Sequence, residues 1–95
     1  MDLIDKLIRV ERSIGIYHKY NGEQLEEVNI DTIPIDILKT VIIAENDDPL
    51  LYSIYPLSQE QVTQLNTFLI NKITPDFELY NYELECYGIY DWDKK

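Results

Sequence analysis

The sequence is short of cysteine, glycine, positive charge and long apolar runs. Its single cysteine, Cys86, cannot close an intramolecular disulfide, which argues against a small secreted domain held by such staples. Three glycines and four prolines are too few for a flexible linker. No internal repeat or low-complexity tract is present. No apolar run approaches the ~20 residues of a membrane span; the longest candidate is Val41-Ile42-Ile43-Ala44. The opening residues, Met1 to Lys6, are acidic and carry neither the basic nor the apolar region of a signal peptide. These absences lead to the expectation of a reducing, cytoplasmic setting. Only eight Lys and Arg oppose eighteen Asp and Glu, for a net charge of −10 and a pI near 4.3. That argues against direct nucleic-acid binding through phosphate neutralisation and against docking on anionic lipid. It suits a basic protein partner.

What is present reads as one α+β domain over 1–95. A chain of 95 residues, 45% apolar and 27% charged, supports one core. Residues 7–20 predict a strand, with Ile8, Val10, Ile14, Ile16 and Tyr20 on one parity. Arg12 and His18 interrupt that face, and Gly15 suggests a bulge or bend. Asn21-Gly22 predicts a tight type I′ turn into a second strand near residues 24–30, whose mixed parity leaves its register open. Asp31-Thr32 and Pro34 are helix-start signals, predicting a helix to about Ile43. Residues 50–56 read as a packed connector with room for a short helical turn. Ser58-Gln59-Glu60-Gln61 is a capping box, with Leu57 and Val62 as its hydrophobic staple. The helix it opens should run along Val62, Leu65, Leu69 and Ile73 until Thr74-Pro75 stops it. Residues 77–90 predict a last strand, with Tyr80, Tyr82, Leu84, Cys86 and Tyr90 pointing one way and Glu83, Glu85 and Tyr87 the other, paired most simply with the first, and 91–95 a loose tail. The order strand, strand, helix, helix, strand predicts a small antiparallel sheet with two helices on one face.

No catalytic motif emerges, so a non-enzymatic protein without cofactor or metal is expected. A Cys86–His18 nucleophile pair needs a thiolate beside positive charge, whereas Glu83 and Glu85 flank Cys86. Asp47-Asp48-Pro49 lacks the spaced oxygen ligands of a calcium loop and reads as a turn with local side-chain to backbone bonds. Glu83 and Glu85, about 7 Å apart by strand rise, have the spacing of a hydrolytic carboxylate pair without further support.

Charge distribution is the informative feature. Residues 23–93 carry fifteen acids against Lys39 and Lys72, while residues 1–22 carry four bases against three acids. Within 76–93, Asp76, Glu78, Glu83, Glu85, Asp91 and Asp93 meet no base, and Tyr80, Tyr82, Tyr87, Tyr90 and Trp92 are interleaved. Rings supply desolvated anchor area and carboxylates steer encounter with a basic partner. Equally, the tyrosines are strand residues and the acids a solvated face. The candidate partner-binding residues are Asp76, Glu78, Glu83, Glu85, Tyr87, Asp91, Trp92 and Asp93.

Asp47-Asp48-Pro49-x-x-Tyr52-x-x-Tyr55-Pro56-Leu57-Ser58 and Phe77-Glu78-x-Tyr80-x-Tyr82-x-Leu84-Glu85-Cys86-Tyr87 resemble a family of small bacterial proteins of unassigned function that open with a strand-turn-strand hairpin. The likeness extends from about Ile8 to Tyr87 and implies no catalytic residues. In size, acidity and strand-helix style the chain also resembles immunity proteins of contact-dependent growth inhibition and related toxin systems. That resemblance implies a cytoplasmic protein that binds a toxin domain, often a nuclease, and blocks its basic active site. An acidic nucleic-acid mimic or regulator of a DNA- or RNA-binding enzyme is the alternative.

Overall fold

A computed structural model describes residues 7–90, with side chains from Arg9 to Gly88. The chain runs β1 (Leu7–His18), β2 (Gln24–Asn29), α1 (Ile35–Val41), β3 (Tyr55–Pro56), α2 (Gln59–Asn66) and β4 (Tyr80–Tyr90). The sheet is antiparallel, in the order β2-β1-β4-β3. It is the expected α+β architecture, and the last strand does pair with the first. Cross-strand partners Ile14↔Leu84 and Ile16↔Tyr82 put one apolar row of the sheet against the helices. That row joins Leu38 and Ile42 of the first helical region and Val62 and Leu65 of α2 in one core. The Gln61 side chain ties the two helices by donating to the Val41 carbonyl at 3.3 Å.

The capping box forms as expected. Ser58 accepts from the Gln61 amide at 3.2 Å, and the Gln61 side chain accepts from the Ser58 amide at 2.9 Å. The helix it starts is shorter than the apolar stripe suggests. Asn66 ends it by clamping Ile73, donating to its carbonyl and accepting from its amide, both at 2.8 Å. Leu69 remains buried in the core, while Ile70 turns outward and is 94% exposed.

Other boundaries also move. Asp31 does not cap α1. It accepts from the Arg12 amide at 2.8 Å and so fastens the end of the first hairpin to β1. Pro34 stands at the helix start without a side-chain cap, and the helix stops before Ile43, which is exposed. β1 ends at His18, leaving Tyr20 in the turn. Lys19–Gly22 form a longer connection than a two-residue type I′ turn: His18 donates to the Glu23 carbonyl, Gly22 donates to the His18 carbonyl, and Gly22 alone in this turn has positive φ. β2 loses its parity because Ile16 pairs with Glu26 and Tyr17 with Gln24, so Leu25 is an extra, bulged residue. The connector holds no helical turn. Its Tyr55–Pro56 pair with Leu84 and Glu83 as a fourth strand. β4 begins at Tyr80 rather than 77, after a turn in which the Asp76 carboxylate accepts from the Glu78 and Leu79 amides. Residues 91–95, expected as a tail, lie outside the described residues.

Candidate functional site: the open face of the sheet

Side chains alternate across a strand, so the core-facing row leaves a second row pointing away from the helices. On β1 this row is Arg9, Glu11, Ser13, Gly15 and Tyr17; opposite it on β4 stand Tyr87, Glu85, Glu83 and Asn81; Glu27 and Asn29 of β2 flank β1. Four carboxylates and two tyrosines thus share one face. Its one cation among the described strand residues, Arg9, is paired with Glu11.

At the centre lies Glu85, only 4% exposed. The Tyr17 and Tyr87 hydroxyls donate to its two carboxylate oxygens, Tyr87 at 3.0 Å. Gly15 makes the arrangement possible. A Cβ at that position would lie 2.8 Å from the Glu85 Cδ and 2.7 Å from the Tyr17 ring. The glycine therefore opens space for a carboxylate to lie flat on the sheet; its pairing with both neighbouring strands is regular, and the bulge lies elsewhere. Beside it, Ser13 donates to Glu27 at 3.0 Å. Both phenols are held in their neutral form: the bond to Glu85, then burial, pushes Tyr17 up, and burial, then Glu85, pushes Tyr87 up to about 12.

Of the sequence candidates, Glu83, Glu85 and Tyr87 come together here. Asp76 and Glu78 sit in the turn before β4, at the end of the sheet where the Lys19 amide donates to Leu79, away from the centre of the face. Asp91, Trp92 and Asp93 lie outside the described residues. The sequence does not mark Glu11, Ser13, Tyr17 or Glu27 as site residues, because only the strand register shows that they stand beside Glu85. Gly15 was the available signal, since a glycine inside a strand marks either a bulge or a close approach.

A second polar cluster organises the connector. Asp48 is 7% exposed. It accepts from the Tyr52 amide at 2.8 Å, the Ser53 amide at 2.9 Å and the Tyr55 hydroxyl at 2.5 Å. The Tyr55 hydroxyl and then the Ser53 amide hold the Asp48 carboxyl below the usual range. Arg12 donates to the Leu50 carbonyl at 2.6 Å and lies 5.7 Å over the Tyr52 ring. The Asp47–Ser58 pattern is thus a loop latch joining the connector to β1.

Cys86 is half-buried, and burial pushes its thiol up. It stands opposite Arg12, while His18 stands opposite Tyr80. Six residues of strand separate the two pairs, roughly 20 Å, so the cysteine and histidine do not form a nucleophile pair. Among the described residues, no group of three His, Cys, Asp or Glu is placed to hold a metal, and no helix is long and apolar enough to cross a membrane.

No curated protein and no solved structure is significantly similar to the chain. A family model, described as a domain of unknown function (DUF7683), matches residues 11–85, from β1 through the Asp48 latch to Glu85, and the chain belongs to that family.

Proposed function

We propose that the protein is an immunity protein: a non-enzymatic inhibitor that binds a toxin domain, in this reading a nuclease, and covers its basic active site with the open face of its sheet. One observation carries the reading. Glu11, Glu27, Glu83 and Glu85 share a sheet face with Tyr17 and Tyr87, and the single strand cation there is already paired with Glu11. A nuclease site is cationic because its substrate is polyanionic. Carboxylates on a flat face steer such a partner, and ordered tyrosines give contact area at low entropic cost. Glu85 shapes the surface and fixes both rings, while the more accessible Glu11, Glu27 and Glu83 carry the steering.

The test is association with a candidate toxin domain from a neighbouring reading frame, measured over a range of salt. A Glu11→Gln, Glu27→Gln, Glu83→Gln triple variant should associate about tenfold more slowly at low salt, with a flatter salt dependence. An unchanged rate and slope overturn this face as the docking surface. Inhibition of several unrelated DNA-binding proteins, with no protection against the toxin, would instead identify a nucleic-acid mimic.

A further inference from the structure

β2 is an edge strand, and the side of it away from β1 pairs with no described residue. Ile30 donates its amide inward to Arg12 at 2.9 Å. Backbone groups alternate in direction along an antiparallel pair, so Val28 and Glu26 also bond toward β1. The amides and carbonyls of Glu27 and Asn29 therefore turn outward. Natural edges are blunted by lysine, proline, bulges or other charges. This one has a bulge at Leu25 and no lysine or proline between Gln24 and Asn29, so the stretch from Glu26 to Asn29 stays regular, with Glu26 and Glu27 its only charges.

A cleft of about 620 Å³ runs along the same strand, between β2 and residues 69–74. Val28, Leu69, Ile73 and Tyr80 give it an apolar wall, and much of the rest of its lining is polar, Glu26 and Lys72 included. The Lys72 ammonium donates to the Asn66 and Leu69 carbonyls, both at 2.7 Å, and makes no ion pair with Glu26. The segment owes its position to the Asn66 clamp on Ile73, which holds the far wall open beside the strand.

From the outward amides, the adjoining cleft and the acid-only edge, we infer that β2 accepts a short extended segment of a cationic partner protein as a fifth strand. Main-chain bonds to Glu27 and Asn29 supply affinity, and alternate side chains supply selection. Residues of one parity enter the cleft beneath β2, against Val28, Leu69 and Ile73. Residues of the other parity lie beside Glu27 on the open face, where lysine or arginine is favoured. A second copy of this chain is a poor guest, since Glu26 and Glu27 would face their own like charges across the new pairing. The Leu25 bulge and the Asp31 turn bound the regular edge, so the guest pairs over only a few residues. The inference rests on the reading that the partner is basic, and it adds which part of that partner is gripped and how.

The probe is a displayed library of random decapeptides selected against the full chain. Enriched peptides should alternate cationic with apolar residues and slow hydrogen exchange of the Glu27 and Asn29 amides at least tenfold. Glu27→Pro removes an outward amide that β1 does not use and should weaken selected peptides at least tenfold, whereas Glu27→Gln, which keeps the amide, should weaken them less. Exchange at Glu27 and Asn29 unaffected by the selected peptides overturns the inference, as does protection that rises with concentration of the free protein alone. If the toxin binds through the open face while these two amides keep exchanging, the edge inference alone is lost. If cationic peptides protect the edge and no toxin is neutralised, the immunity reading alone is lost.

Discussion

Asp48 and Glu85 are both buried acids that accept from tyrosine hydroxyls, yet they are held by different kinds of structure. Asp48 gathers two backbone amides and the Tyr55 hydroxyl within one stretch of chain, so its contacts close a loop. Glu85 gathers only side chains, from β1 and from its own strand, over a glycine on the uncovered face. The first arrangement secures the connector that delivers β3 to the sheet. The second secures no backbone, and its product is a surface: a flat carboxylate with two fixed rings. A buried acid tied to main chain thus marks a stability element here, and one tied only to tyrosines on a sheet face marks a prepared surface.

The sharpest way to break this contrast is to remove each acid. Asp48→Ala leaves two part-buried amides and the buried Tyr55 hydroxyl without their acceptor, and should lower Tm by on the order of 10 °C in a thermal melt. Glu85→Gln keeps the shape and one acceptor, and the phenols lie near solvent, so its Tm should fall by about 2–5 °C. Equal losses would erase the distinction.

Titration separates them next. The fold lowers the Asp48 pKa, so its contribution is present above the ordinary aspartate range and is lost as pH falls through the lower folded value. The stability gap between wild type and Asp48→Asn should therefore close as pH drops below about 4. Tyr87 is raised instead, so its contribution is full below pH 10 and is lost as pH climbs through about 12. The difference in tyrosinate absorbance between wild type and Tyr87→Phe should have its midpoint near 12.

Gly15→Ala gives the most selective change. The added Cβ meets the end of the Glu85 side chain and the Tyr17 ring rather than backbone, so the fold should survive with a Tm loss under about 5 °C. The Tyr87 midpoint should nevertheless fall part of the way from about 12, because burial remains its largest cause while the Glu85 contribution is lost. An unmoved midpoint would show that the glycine is not what seats the carboxylate.

The contrast also explains how far the sequence could be read. The capping box at Ser58 was legible because its chemistry is confined to four adjacent residues. The apolar parity of β1 and β4 identified their core-facing rows for the same local reason. The length of α2 was not legible, because its end depends on Asn66 reaching Ile73. β3 was hidden because two residues have no period, and the start of α1 was misplaced because Asp31 serves β1 instead. On the open face, alternation identified Glu83, Glu85 and Tyr87 as one row. The neighbours that bury Glu85 belong to a strand almost seventy residues earlier, and only register joins them. The Asp48 turn lay within reach, since its donors follow within seven residues.

The connector carries one more consequence. Leu51 adopts a left-handed backbone, with φ of 58°, and its side chain is fully buried. Glycine would relieve a conformational cost of about 1–2 kcal/mol there, but would empty a place in the core. Nearly every other residue would keep the strain and fit the cavity less well. For a diverging lineage this position is a trap with no downhill exit: drift at an exposed connector residue such as Ile54 is open, while residue 51 can change only together with the packing around it.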